Sequence, residues 1–75
     1  MSHHPLHYSM LIEWSEEDQA YLVFLPEWAD RVMMPATHGR TYEEAVKHGR
    51  EVLEMLVNTA EKECEPLPLP KVHAA

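Results

Sequence analysis

A single long amphipathic segment in the second half of the chain constrains the fold more than any other feature. Thr41 can cap a helix N-terminus, and Glu44, three residues later, completes a capping box. The apolar or small residues that follow at helical spacing are Ala45, Val46, Gly49, Val52, Leu53, Leu56, Val57 and Ala60. The pattern predicts a helix from about Tyr42 to about Glu63, roughly 22 residues or 33 Å long. The glycine at position 49 indicates a close approach of this helix to the sheet.

Two shorter segments before the helix have the pattern of strands. Every second residue between positions 7 and 14 is apolar, which is typical of a half-buried strand. The segment Ala20–Leu25 is apolar on both faces, which favours a central strand or a strand covered by a second subunit. The short polar turn between the two segments predicts an antiparallel hairpin.

A third strand and the fold class follow from the prolines. Pro26 ends the second strand, and residues 27–30 are predicted to form a loop. Arg31–Met34 is predicted as a short third strand stopped by Pro35, before a turn over residues 36–40 in which Gly39 can take a positive φ. The predicted fold is therefore α+β, with a three-stranded antiparallel sheet packed on one long helix in the order β-β-β-α. A short C-terminal strand is an added option within the proline-rich tail.

The size of the chain predicts one domain that associates with itself. Of its 75 residues, 1–6 are expected to be a mobile tail, 7–64 the core and 65–75 a proline-rich tail. So small a domain buries only about 60% of the surface that its unfolded chain exposes, and a lone cysteine allows no internal disulfide. One helix covers one face of a sheet, so apolar residues on the other face need another cover. The residues predicted for a homodimer or higher oligomer interface are Leu11, Leu22, Phe24, Met33 and Met34. The alternative is that Leu67 and Leu69 of the tail fold back over part of this face.

The charge balance indicates the kind of partner. The chain has 13 acidic and 6 basic residues, a formal net charge of −7, and the basic residues are scattered. Such a chain lacks the clustered cations that nucleic-acid phosphates require, but its acids would attract a basic partner. The alternative is that the acids only keep a small protein in solution. Neither a membrane-spanning apolar run nor a signal-peptide core is present in the sequence, and the lone cysteine suits a reducing compartment, so a cytoplasmic location is expected.

Candidate catalytic and metal-binding groups all have simpler explanations. Glu13 with Glu43 or Glu44 could hold Mg²⁺ for nuclease chemistry, but the two helix acids already fit a role in capping. Cys64 lies among acids, which disfavour its thiolate. The histidines at positions 3, 4 and 7 could chelate Cu²⁺ or Ni²⁺, but a solvated tail is the simpler explanation, because nothing else in the chain supports a metal site. We therefore expect no enzyme activity, no metal and no cofactor.

The ordered set of these features resembles the N-terminal domain of the HicB antitoxin family. The strongest match is the turn and helix start over residues 37–45, which is similar to the family's G-x-T-x-x-E-A stretch. Residues 65–70, Glu-Pro-Leu-Pro-Leu-Pro, are similar to the family's ending. The other matching residues are Tyr8, Ile12, Glu13, Tyr21, Pro26 and Glu27. The chain departs from the family at Trp28-Ala29-Asp30, where a Pro-Gly pair is usual, so this loop is expected to have another shape.

The resemblance implies a trimmed RNase H-like domain without nuclease activity. Its implied role is to neutralise a HicA-like toxin, a small basic mRNA-cleaving ribonuclease, by occluding the toxin's active site. Many family members add a C-terminal DNA-binding domain; this chain stops at Ala75, so no direct DNA binding is expected. An aromatic anchor flanked by acids suits such a contact, which selects Glu27, Trp28 and Asp30 as partner-binding residues. The alternative is an orphan oligomeric module, structural or regulatory, without a toxin partner.

Overall fold

The fold is α+β, with three antiparallel strands and one long helix among the residues that the structure describes. The structure is a computed structural model, and it describes residues 7–73. Strand β1 spans Leu11–Ser15, β2 spans Ala20–Phe24, β3 spans Thr37–Gly39, and helix α1 spans Tyr42–Lys62. The sheet order is β1-β2-β3. The predicted α+β class, with three antiparallel strands and one long helix, is confirmed. The predicted mobile tail, residues 1–6 with His3 and His4, lies outside the described residues.

The predicted hairpin is confirmed by the pairing of β1 with β2. Ile12 lies opposite Val23, and Trp14 lies opposite Tyr21. The turn between the strands is closed by Ser15, whose hydroxyl accepts from the Asp18 backbone N–H at 3.1 Å and donates to its carboxylate at 3.0 Å. Because paired residues point to the same side of a sheet, this register decides which side chains meet the helix.

The third strand lies further along the chain than predicted. Arg31–Met34 is not a strand, because the backbone N–H groups of Arg31 and Val32 both donate to the Trp28 carbonyl, at 2.9 and 3.0 Å. These bonds extend a 3₁₀ turn that starts at Pro26. The strand forms instead at Thr37–Gly39, where the sequence predicts a turn.

The predicted positive φ at Gly39 is also wrong, and the glycine has another role. No described glycine has a positive φ. A Cβ at position 39 would lie 2.4 Å from the backbone nitrogen of Ala45. The glycine therefore lets β3 pass directly against the first turn of α1.

The helix begins after the predicted cap, Thr41, but the second bond of the capping box goes to Arg40, the residue before the cap, and not to Thr41. The Glu44 backbone N–H donates to the Thr41 hydroxyl at 3.0 Å, and the Glu44 carboxylate accepts from the Arg40 backbone N–H at 2.7 Å. At Gly49 a Cβ would lie 2.8 Å from the Met10 sulfur and 3.1 Å from Val23 Cγ1. The predicted close approach of helix and sheet at Gly49 is thus confirmed.

The core lies between α1 and one face of the sheet. Its buried residues are Val23, Leu25, Trp28, Ala45, Leu53, Val57 and Ala60. The tail over residues 65–73 contains no strand, so the optional C-terminal strand is not formed there. Within the described part of the chain, no helix is both long and apolar enough to cross a membrane.

Candidate protein-interaction surfaces

The predicted aromatic anchor, Trp28, lies in the core. Its side chain is 2% exposed, and its ring meets the edge of Tyr8 at a centroid distance of 5.5 Å. The Arg31 guanidinium lies 5.4 Å from the ring centroid. The expectation that Trp28 is an exposed anchor is therefore corrected: the 3₁₀ turn begun at Pro26 directs the ring inward.

The neighbouring acid, Glu27, is buried as well and joins three parts of the chain. Its carboxylate accepts from the Ser9 backbone N–H at 3.0 and 3.1 Å, from the Ser9 hydroxyl at 3.1 Å and from the Lys71 backbone N–H at 2.8 Å. Burial acts to raise the pKa of Glu27, but the hydrogen bonds from Lys71 and Ser9 outweigh it and hold the pKa below its ordinary value. Glu27 therefore fastens the segment before β1 and the C-terminal tail to the 3₁₀ turn.

Of the three predicted contact residues, Asp30 alone keeps an exposed side chain. Glu27 is 7% exposed, and its carboxylate already accepts hydrogen bonds from Ser9 and Lys71. The hypothesis that this loop binds a partner stays a prediction, and it now depends on Asp30.

The sheet face that points away from α1 carries apolar side chains, as expected. Because Ile12 and Val23 meet the core, their neighbours Leu11, Leu22 and Phe24 point to the opposite side. We call these three residues the open face. Leu11 is 48% exposed, whereas Leu22 and Phe24 are half-buried.

The two methionines predicted at the interface differ from each other. Met33 is 87% exposed. Met34 is half-buried against the core, and its sulfur accepts from the Leu25 backbone N–H at 3.4 Å. Met33 thus remains a surface candidate, while the interface role of Met34, whose sulfur is occupied within the chain, stays a prediction.

The proline-rich tail packs on its own chain, beside the core. The Tyr8 hydroxyl donates to the Pro68 carbonyl at 2.6 Å, and Lys71 is held by Glu27. Tyr8 in turn packs on Trp28. Leu69 stays 86% exposed, so it covers little of any neighbouring surface.

A row of three rings on the helix side of the sheet was not predicted. Trp14 meets Tyr21 edge-on at a centroid distance of 5.0 Å, and Tyr21 stacks on Tyr42 at 4.3 Å. The Trp14 Nε1–H donates to the Glu16 carboxylate at 2.8 Å. Partial burial and the neighbouring Tyr42 raise the pKa of Tyr21. We call Trp14, Tyr21 and Tyr42 the aromatic row; the only sequence signal for it is an aromatic residue at each position.

The acids considered for nuclease chemistry do not meet. Glu13 lies opposite Leu22, so it shares the side of the open face, while Glu44 binds the Arg40 backbone at the helix start. Among residues 7–73, no group of three or more histidine, cysteine, aspartate or glutamate side chains could hold a metal ion. Cys64 is an exposed free thiol with a φ of 57°.

The described residues thus define a small α+β domain with apolar and aromatic side chains at two surfaces, the open face and the aromatic row. No family model, no curated protein and no solved structure matches the chain.

Proposed function

We propose that the protein is a non-catalytic, HicB-like antitoxin module of the cytoplasm. It binds a small basic HicA-type toxin, an mRNA-cleaving ribonuclease, and occludes the toxin's active site. The observation that carries this proposal is the open face, an apolar surface on a chain with a net charge of −7. Leu11 is 48% exposed and Leu22 and Phe24 are partly exposed, and an apolar patch with polar surroundings is typical of a protein-binding surface.

The surroundings of the open face suit a basic partner. Glu13 lies on the same side of the sheet, opposite Leu22. A shallow groove of 380 Å³ continues from Leu22, with Asp18 and His38 in its lining. Acids at the rim of an apolar patch attract cationic partners and fix their orientation. An acidic rim thus favours a basic toxin over an acidic or neutral protein.

The order of elements supports the proposed kinship with HicB-like proteins. Three antiparallel strands followed by one long helix is the arrangement that the resemblance implies for a trimmed RNase H-like domain. The capping sequence at Thr41 and Glu44, which carries the strongest similarity, starts that helix. We propose the RNase H-like relationship on these grounds, with the nuclease chemistry lost.

The second candidate is an oligomeric module without a toxin partner, and the open face favours it too. A second copy could cover Leu11 and Phe24 through an isologous contact. However, a copy brings its own Glu13 and Asp18 to the contact, so like charges approach each other. A basic toxin brings opposite charges instead, which is why the antitoxin role is the first proposal.

Co-expression with a HicA-type toxin, sought first as a short basic reading frame beside this gene, tests the proposal. The wild-type protein should restore growth and elute with the toxin as one complex in size-exclusion chromatography. Phe24→Asp should abolish both effects, because it places a charge in the open face. Met55→Asp is the matched control, since Met55 is 57% exposed on the helix.

Each outcome separates the candidates. Toxin binding that survives Phe24→Asp would show that the open face is not the toxin site. An absence of any complex, together with a homodimer that Phe24→Asp converts to a monomer, would favour the oligomeric module. Analytical ultracentrifugation of both variants measures the second outcome.

A further inference from the structure

We propose that the aromatic row is a recognition site for a cationic side chain, arginine or lysine, on a partner protein. The proposal deepens the antitoxin role by naming a second contact surface, and it rests on that role only for the identity of the partner. The chemistry of the site is argued from the rings and charges themselves.

The geometry leaves ring faces free for a cation. One face of Tyr42 lies on Tyr21, yet Tyr42 is 60% exposed, so its other face meets solvent. Trp14 closes the other end of the row and is 45% exposed. Tyrosine and tryptophan faces carry negative electrostatic potential and attract cations within about 6 Å of the ring centroid.

The acids around the row select a cation over a neutral apolar group. Glu16 accepts from the Trp14 indole N–H at 2.8 Å, which fixes a carboxylate at the edge of that ring. Glu43 follows Tyr42 on the helix and lines a groove of 540 Å³ together with Tyr42 and Val46. A guanidinium bound at Tyr42 would therefore share this groove with the Glu43 carboxylate, an acceptor for its N–H donors.

Among residues 7–73, the chain's own cations stand in the groove beside Tyr42 but not over a ring of the aromatic row. Among residues 7–73, the cation placed over a ring is Arg31, and it lies on Trp28, away from the aromatic row. Lys47 and Arg50 line the same groove as Tyr42. Arg50 comes two helical turns after Tyr42, about 12 Å along the helix axis. Lys47 is nearer, five residues or about 7.5 Å after Tyr42. With Glu43, Glu51 and Glu54 the groove holds three acids and two bases, so its acids outnumber its bases by one.

A peptide titration at low ionic strength tests the proposal. The probe is a capped peptide of four Arg-Gly repeats, and the matched peptide carries neutral citrulline in place of arginine. The two indole N–H signals in an NMR spectrum distinguish the tryptophans. Addition of the arginine peptide should shift the Trp14 signal and leave the buried Trp28 signal in place, and the citrulline peptide should shift neither.

Two substitutions at one position separate a ring contact from simple apolar contact. Tyr42→Leu should weaken binding of the arginine peptide about two- to fivefold, the loss expected for one exposed cation–π contact, whereas Tyr42→Phe should retain most of the affinity.

Glu16→Gln should weaken binding more than Glu63→Gln, which removes the same charge beyond the other end of the helix. Circular dichroism checks that each variant is folded.

The results also separate this proposal from the antitoxin role. Equal affinity of the wild type for the arginine and citrulline peptides, or no loss in Tyr42→Leu, would overturn the cation site whatever the toxin does. Peptide binding that follows the expected order without any toxin complex would overturn the antitoxin role and leave the cation site supported. If the toxin binds, Tyr42→Leu should weaken that complex too.

Discussion

The two tryptophans have similar sequence surroundings and opposite structural roles. Trp14 lies two residues before an acid, and Trp28 directly follows one. Yet Trp28 is 2% exposed and Trp14 is 45% exposed. Trp28 follows a proline that starts a turn over the core, whereas Trp14 stands on β1, which lies at the edge of the sheet formed by the described residues.

The acids beside the two rings explain the difference in role. Glu27 receives hydrogen bonds from Ser9 and Lys71, so the carboxylate beside Trp28 holds the fold together. Glu16 receives the indole N–H of Trp14 and stays at the surface. In this chain the acid beside the buried ring is occupied by distant parts of the backbone, whereas the acid beside the exposed ring is occupied by that ring.

The largest expected effect comes from truncating the two rings in turn. Trp28→Ala should cost about 3–5 kcal/mol of unfolding free energy, because it removes a large buried side chain and leaves a cavity. Trp14→Ala should cost about 1 kcal/mol or less, since the ring is half exposed. Urea unfolding followed by circular dichroism measures both. Equal losses would break the distinction between a core ring and a surface ring.

Gly39 and Gly49 mark two places where helix α1 lies close against the rest of the chain, and substitutions there test how tightly each place is packed. Gly39 lies opposite Tyr21, and an added Cβ would meet the Ala45 backbone, which cannot move without shifting α1. Gly39→Ala should therefore cost about 1–3 kcal/mol. Gly49→Ala meets the flexible end of Met10 and, at 3.1 Å, the buried Val23 side chain, but it gains about 1 kcal/mol of helix propensity, so its net loss should be smaller. A larger loss at position 49 in urea unfolding would contradict this order.

The parts of the fold that were predicted correctly depend on signals close together in sequence. The capping residues Thr41 and Glu44 fix the helix start, and the polar turn fixes the hairpin. The open face was predicted because a single helix covers only one of the two faces of a sheet, which leaves the apolar residues of the other face uncovered. These features need no knowledge of distant contacts.

The parts that were missed depend on contacts between distant residues. Glu27 and Lys71 are 44 positions apart, and the bond between them decides that this acid is internal. The third strand is displaced because the Trp28 carbonyl takes the N–H groups of residues 31 and 32. The aromatic row joins the hairpin to the helix start, so no local pattern shows it. Secondary-structure propensity alone could not decide whether Glu27 is internal, where the third strand forms or which rings meet.

The buried acid beside Trp28 predicts a pH dependence of stability. The pKa of Glu27 is lower in the folded state than its ordinary value of 4.5, so its contribution is complete above that value and is lost as the pH falls through the folded-state pKa. Glu27→Gln should cost about 1–3 kcal/mol at neutral pH, because charge-assisted hydrogen bonds to Ser9 and Lys71 are weakened.

Urea unfolding between neutral pH and pH of about 3 measures this dependence. The acid-induced loss should be smaller in Glu27→Gln than in the wild type. Glu16→Gln, at the surface beside Trp14, is the matched control: it should change stability by about 0.5 kcal/mol or less and keep the wild-type slope, since Glu27 is intact there. A slope equally reduced in both variants would mean that the two acids do not differ in role.

The smallest expected effect concerns the surroundings of the two rings rather than stability. Fluorescence quenching at constant ionic strength should show one accessible tryptophan and one inaccessible tryptophan, because Trp14 is 45% and Trp28 2% exposed. Trp14→Phe should remove the accessible component. Relative to free N-acetyltryptophanamide, caesium should quench Trp14 more efficiently than iodide does, since the Glu16 carboxylate lies 2.8 Å from its indole nitrogen and attracts cations. Glu16→Gln should reduce that preference. A preference for iodide in the wild type would show that the electrostatic potential at Trp14 is positive. A cationic partner would then not be attracted to this ring.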